Sequence, residues 1–210
     1  MKILIDIDNV ISDFVTAMVA YLNVKYNKKF KSSDVTVWDF VDSPNLDITK
    51  SQFYQSLNEF VELKLWNKSP IYFDANMVLN RLFKDHCVIY LSSRPAIAAN
   101  ETISFFEKNG LPFNGLQILE NEAQPVLCGN IALCQGFRKG EIAKNWEADI
   151  AIEDRPSTIQ NYIDKGIMVV RKEEPYNSNV KYIGDLSLLK SSPNLIGFEK
   201  IINQIGIGEI

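Results

Sequence analysis

A single histidine, His86, serves the whole chain of 210 residues, and that scarcity removes several chemistries at once. A Ser-His-Asp triad, an HExxH zinc site or a phosphohistidine mechanism would each have to run through this one residue. It stands in KDHC ahead of the apolar run VIYL, a position that reads as a loop entering a strand. Cysteine is nearly as sparse. Cys87, Cys128 and Cys134 are odd in number and form no CxxC pair, so they read as reduced thiols with small-hydrophobe roles, and a zinc site finds no support. Neither a GxxxxGK[ST] phosphate loop nor a GxGxxG fingerprint is present; IGIGE near the C-terminus matches neither, and ATP hydrolysis and nicotinamide chemistry lose their usual signatures. Positive charge is not in excess. A net charge of -4 gives no general attraction for a nucleic acid polymer or an anionic membrane, so any phosphate-bearing partner must be held by a local arrangement of charge. No apolar run approaches the roughly 20 residues of a membrane span, and no signal-peptide pattern opens the chain. The expected location is the cytoplasm and the expected partner a small molecule; oligomeric state stays open.

What the chain does have is ordinary globular composition, 46% hydrophobic and 23% charged, at a length sufficient for one core carrying a smaller second unit. Short apolar runs alternate with helical patterns. KILIDI (2–7), CVIYL (87–91), DIAIE (149–153) and GIMVV (166–170) read as strands, with LQIL (116–119) a further candidate. Most are apolar without strict alternation, as strands covered on both faces are. Residues 95–109 read as a helix stopped by Gly110 and Pro112, 139–146 as another, and 157–165 as a third ended by Gly166. This pattern predicts a doubly wound α/β core on a parallel sheet. Between the first two strands the alternation breaks, over far more chain than a crossover needs. The inserted patterns are helical: FVTAMVAYLNVKY from 14, SQFYQSLNEFVEL from 51 behind the capping candidate Thr49, and ANMVLNRLF from 75 behind Asp74. Residues 14–74 are therefore expected to form a small helical cap over the carboxyl ends of the strands, with 1–13 and 75–210 forming the core.

ILIDIDNV, residues 3–10, spends an apolar run on placing Asp6 and Asp8 with one residue between them. A buried strand is a costly place for carboxylates unless something cationic or hydrogen-bonding meets them. The second strand runs VIYL into Ser92 and Ser93, followed by Arg94 and Pro95; DIAIE delivers Glu153 and Asp154, followed by Arg155 and Pro156. Three parallel strands thus bring acids, hydroxyls and acids to one edge. Gathered carboxylates repel one another, and a hard divalent cation with oxygen ligands, Mg²⁺ being the usual choice, is the least costly remedy. Lys139, at the start of the helix preceding DIAIE, can add a further positive charge.

ILIDIDNV, VIYLSS, Lys139 of RKGEIAK, and IAIEDRP resemble, in order and placement, the four motifs of the haloacid dehalogenase-like hydrolases. DIDNVISDF with LSSRP and IEDRP is most similar to their 5'(3')-deoxyribonucleotidase branch. Asn9 stands where glycine is frequent in such proteins, Glu153 stands where many have aspartate, and residues 120–136 match no part of the pattern. The resemblance implies a Mg²⁺-dependent phosphomonoesterase that works through an aspartyl-phosphate on a nucleoside or deoxynucleoside monophosphate. It implies Asp6 as nucleophile and, with Asp154, as a side-chain ligand of the metal. Asp8 would act as acid and then as base and lend the metal its backbone carbonyl, with Glu153 one layer further out. Ser92, assisted by Ser93, and Lys139 would hold the transferring phosphoryl oxygens. Phe14, eight residues after Asp6, stands where that branch has an aromatic at the substrate pocket, and Trp38 and the other cap aromatics would stack on a base.

Plainer readings stand beside these. Asp6 and Asp8 as a strand end and a helix cap would explain neither the second acidic pair nor the two serines, whereas Asp13 reads best as a cap. Lys144 competes with Lys139, which its place at the helix start favours. Arg94 reads equally as a substrate contact and as a structural ion pair, and Phe14, Trp38, Phe40 and Trp66 are of types found more often in cores. Other functions consistent with the motifs are a phosphatase for a sugar phosphate or another small metabolite, a phosphate- or nucleotide-binding module without catalysis, and a signalling receiver domain. Both candidate catalytic aspartates argue against the second, and the inserted cap against the third.

Overall fold

The computed structural model describes residues 1–119, 130–134 and 136–206, so most of the unmatched segment 120–136, and Cys128 with it, lies outside the described residues. Seven strands form one parallel sheet: β1 (Lys2–Ile5), β2 (Cys87–Ser92), β3 (Leu116–Leu119), β4 (Ile131–Cys134), β5 (Ile150–Glu153), β6 (Met168–Lys172) and β7 (Leu189–Ser192), in the order β3-β4-β2-β1-β5-β6-β7. The helices are α1 (Phe14–Tyr26), α2 (Lys50–Glu62), α3 (Ala75–Asp85), α4 (Ala99–Lys108), α5 (Lys139–Asn145), α6 (Pro156–Asp164) and α7 (Leu195–Gly206). None is long and apolar enough to cross a membrane.

β1 lies at the centre, Ile3 facing Val88 of β2 on one side and Ile150 of β5 on the other. The chain passes from β1 outward through β2, β3 and β4 on one side and then crosses to β5 on the other, which makes the carboxyl end of β1 the switch point where open α/β sheets bind ligands. Pleating sends Ile3, Ile5, Tyr90 and Ile152 to one face, under α3, α4 and α7. It sends Leu4, Ile89, Leu91 and Ala151 to the other, under α5 and α6. With both faces covered, each aliphatic side chain is out of water, worth about 1.5–3 kcal/mol apiece.

The sheet is the doubly wound one that the apolar runs predict, extended by strands β4 and β7 and helix α7, which they did not disclose. β1 is shorter than its apolar run. Asp6 N–H still reaches the Ile152 carbonyl at 3.1 Å, but the Ile11 and Ser12 N–H groups then both turn back onto the Ile7 carbonyl at 2.9 Å. Ile7, Val10 and Ile11 are fully buried in that turn, so an apolar run here marks burial rather than strand. Asp13 and Thr49 cap α1 and α2 as expected, accepting the Thr16 and Gln52 N–H groups at 2.9 and 3.2 Å. Asp74 does not cap α3; fully buried, it accepts the Ile196 N–H at 3.0 Å and ties the start of α7 to the core.

The helices between β1 and α3 build a separate apolar cluster from Met18, Leu22, Phe40, Phe60 and Trp66. The chain enters and leaves this unit side by side. Asp13 N–H donates to the Pro70 carbonyl at 2.8 Å and Tyr72 N–H to the Ile11 carbonyl at 3.0 Å.

On the opposite face of the sheet, α5 approaches α6 through Gly140, whose N–H donates to Asn161 Oδ1 at 2.7 Å. A Cβ at Gly140 would lie 2.1 Å from that oxygen and 2.9 Å from the Asn161 carbonyl oxygen. This close approach sets the depth to which the neighbouring Lys139 reaches. Gly140→Ala should therefore cost about 1–3 kcal/mol, read in thermal unfolding as about 2–4 °C per kcal/mol. A wild-type melting temperature would show that the α5–α6 contact gives way freely.

Candidate active site

Adjacency of β1 and β5 puts the two acidic strand ends side by side. Asp6, Glu153 and Asp154 are all buried, with ligand-type oxygens within 4.8 Å of one another. Lys139, itself 1% exposed, enters between them: its Nζ lies 2.9 Å from Asp6 Oδ1 and 2.8 Å from Glu153 Oε2. Lys144, five residues along the same helix, is exposed. Burial followed by repulsion from Glu153 pushes the Asp6 carboxyl well above its ordinary range. Burial, with Asp6 next, pushes Asp154 to about 7. Burial raises Glu153 too, against the pull of Lys139. Burial alone would discharge the lysine, but Asp6 and Glu153 outweigh it and hold its pKa well above the ordinary value. One lysine against three carboxylates leaves this pocket short of positive charge.

The acids differ in how fully they are engaged. Glu153 is occupied on both oxygens, Oε2 by Lys139 and Oε1 by the backbone N–H groups of Asp154 and Arg155 at 3.2 and 3.1 Å. Asp154 Oδ2 accepts from Asn9 Nδ2 at 3.1 Å and from the Tyr176 hydroxyl, whereas its Oδ1 is buried and has no hydrogen-bond partner among the described residues. Asn9 occupies the left-handed backbone region, φ 59°, which asparagine tolerates better than most residues. Glycine would satisfy that turn but could not reach Asp154, nor accept the Val15 N–H at 3.0 Å as Asn9 Oδ1 does.

Asp8 is held apart from this cluster by Arg94. The guanidinium donates from Nη2 to Asp8 Oδ1 at 2.7 Å and from Nε to Oδ2 at 3.0 Å, while Ser12 Oγ adds a bond to Oδ1 at 2.9 Å. The Arg94 side chain is fully buried, donates further to Thr102 Oγ1 at 3.3 Å, and lies between the rings of Trp66 and Phe105, 5.5 and 5.2 Å from their centroids. Of the two readings open for Arg94, the geometry displays the ion pair. Asp8 Oδ2, with the fewer donors, keeps the more open acceptor position.

Asp6, Asp8, Ser93, Arg94 and Lys139 share a cavity of about 210 Å³ with Phe14, Trp38, Leu57, Trp66 and Arg155. Ser92 is fully buried just behind it, its Oγ accepting the Arg94 N–H at 3.2 Å, while Ser93 is exposed. Phe14 stacks on Trp66 at 5.9 Å, and Trp38 meets Tyr176 edge-on at 5.4 Å. These aromatics belong at once to the apolar cluster of the inserted helices and to the cavity wall. Sequence reasoning passed over Arg155, whose guanidinium sits over Trp38 at 5.3 Å, although its place beside the acidic pair could have marked it. It also missed Tyr176, Asn177 and the use made of Asn9; nothing near Tyr176 and Asn177 in the sequence signals their approach to Asp154.

Comparison with known proteins is consistent with this geometry. Residues 1–184 match the family of 5' nucleotidase, deoxy (pyrimidine), cytosolic type C proteins. YqfW of Bacillus subtilis (strain 168), a candidate nucleotidase, is 25% identical over 178 residues, which cover 84% of this chain and 82% of that protein. A candidate nucleotidase of Halalkalibacterium halodurans is 24% identical over 174 residues, covering 82% and 80%. Among solved structures, a hydrolase from Pseudomonas syringae superposes with a TM-score of 0.58 at 13% identity, over 98% of this chain and 99% of that one. The candidate HAD-hydrolase YfnB of Bacillus subtilis, solved with magnesium bound, gives 0.54 at 12% identity over 96% and 98%. Likeness at that level of identity speaks for the fold, and the family match speaks for more: this chain belongs to the 5' nucleotidase, deoxy (pyrimidine), cytosolic type C family and is a phosphoric monoester hydrolase on a haloacid dehalogenase-like scaffold.

Proposed function

We propose that this protein hydrolyses nucleoside monophosphates, deoxynucleotides foremost, through an aspartyl-phosphate on Asp6 with Mg²⁺ as cofactor, and that residues 14–74 act as a cap over a core of 1–13 and 75–210. The observation that carries the reading is the buried Oδ1 of Asp154, without a hydrogen-bond partner among the described residues, within a group of three carboxylates that meets one lysine. An orphaned oxygen among hard oxygen donors fits Mg²⁺ better than a softer metal. Asp6 and Asp154 would hold it by their side chains and Asp8 by its backbone carbonyl, with Glu153, fully engaged with Lys139 and backbone, behind them. When bound, the ion would neutralise charge on carboxylate and phosphate so that one anion can approach the other.

The rest falls to the chain's own groups. An Asp6 carboxylate oxygen attacks phosphorus, the ester P–O bond breaks, and Asp8, which takes up a proton from solvent at Oδ2 before this step against the pull of Arg94, gives it to the departing oxygen. Asp8 then takes a proton from water as the water oxygen attacks phosphorus. The bond from phosphorus to Asp6 breaks, inorganic phosphate leaves, and the Asp6 carboxylate is restored. Lys139, Ser93 at the cavity surface and Ser92 behind it hold the phosphoryl oxygens. Arg94 serves the reaction by orienting Asp8. Phe14 and Trp38 give the cavity aromatic wall against which a base could pack, which is what favours a nucleotide over a sugar phosphate.

Phosphate release from deoxynucleoside, ribonucleoside and sugar monophosphates, with Mg²⁺ or EDTA, tests both halves. Mg²⁺-dependent turnover should be strongest on deoxynucleotides, fall at least ~10³-fold in Asp6→Asn and about 10²–10⁴-fold in Asp8→Asn. Equal or better turnover of sugar phosphates would sink the nucleotide reading, and activity surviving in Asp6→Asn would sink the mechanism.

A further inference from the structure

The loop after β6 plays no part in the chemistry above, yet it reaches the cluster of acids. Asn177 locks it there: Nδ2 donates to the carbonyls of Asp154 and Lys172, each at 2.8 Å, and Oδ1 accepts the Glu174 N–H at 3.0 Å. The lock brings Tyr176 inward until it is 5% exposed, its hydroxyl on Asp154 Oδ2 and its ring packed with the cluster formed by the cap helices. On the cap side its neighbour is Trp38, ring to ring at 5.4 Å and 68°. Trp38 belongs to the cavity wall, so a contiguous path runs from cap to ring to hydroxyl to carboxylate.

We infer that Tyr176 is a positioning residue that sets Asp154 for cation binding and links the affinity of the cation to the seating of the cap through Trp38. The inference rests on the reading of Asp154 as a metal ligand and goes beyond it. A carboxylate free to rotate presents either oxygen to a cation and pays entropy when one is chosen. Asp154 has no such freedom, because Oδ2 is claimed by Asn9 and Tyr176 while Oδ1 is left unpartnered among the described residues. Partners that orient a metal ligand typically change affinity by about 10–100-fold when removed. Linkage makes the effect reciprocal: if the Trp38–Tyr176 contact favours the cation-binding arrangement, bound cation favours that contact to the same degree.

The geometry permits a clean test, since Asn177 fixes the loop without help from the phenol, and Tyr176→Phe removes the hydroxyl while keeping the ring. Mg²⁺ binding is titrated by calorimetry, and in parallel by tryptophan fluorescence, on wild type, Tyr176→Phe, Trp38→Leu and Asp154→Asn, without substrate. Tyr176→Phe is expected to bind Mg²⁺ about 10-fold more weakly and to recover its kcat at saturating Mg²⁺, a rescue that general damage to the fold would not show. Trp38→Leu is expected to lose affinity in the same direction by a smaller factor, and the wild-type fluorescence to shift on binding. Wild-type affinity in Tyr176→Phe or in Trp38→Leu overturns the inference. Wild-type affinity in Asp154→Asn would instead overturn the assignment of the metal site, so the two failures are told apart.

Discussion

Three carboxylates crowd the end of two neighbouring buried strands, and the molecule must keep them charged enough to use. Lys139 answers first. It is buried to nearly the same depth as its partners and touches two of them. Its position depends on α5 lying against α6 closer than any side chain at Gly140 would allow. Glu153 holds the lysine in place and in the same act receives the backbone of Asp154 and Arg155, which fixes the turn leaving β5. Burying charged groups at this edge carries a desolvation cost that their mutual contacts offset only in part.

Around that edge the structure separates two acids by their surroundings. Asp6 is sealed in with other anions and one lysine, whereas Asp8, two residues on, faces a guanidinium fixed between Trp66 and Phe105. Because Trp66 also belongs to the apolar cluster of the inserted helices, the orientation of Asp8 and the packing of those helices rest on a shared ring. The inserted helices thereby supply part of the wall of the cavity and part of the support for Asp8.

Much of this was legible in the sequence because the site sits where strands end, and strand ends can be read from apolar runs followed by polar residues. ILIDIDNV, VIYLSS and IAIEDRP are enough to place Asp6, Ser92 and Asp154 at one edge of a parallel sheet, and the helix start places Lys139 near them. What stayed hidden has identifiable causes. β4 is four residues long beside a stretch with no recognisable pattern, and β7, LKSS, carries neither β-branched residues nor alternation. Ile7 reads as strand in the sequence because a buried turn and a buried strand look alike in composition. Asp74 stood in the right place for a helix cap but was claimed by another helix, a contact between residues 122 positions apart. Tyr176 and Asn177 act on Asp154 from a loop after the following strand, and no local spacing encodes such an approach.

Whether Asp6 itself takes the phosphoryl group decides the mechanism. The direct measurement is rapid acid quenching during turnover, followed by proteolysis and mass spectrometry of the peptide that carries Asp6. A phosphoryl adduct on Asp6 that forms within one turnover, decays as inorganic phosphate appears, and is absent from Asp6→Asn is the result this structure predicts. Turnover that proceeds with no adduct, or with the adduct on another residue, would contradict it.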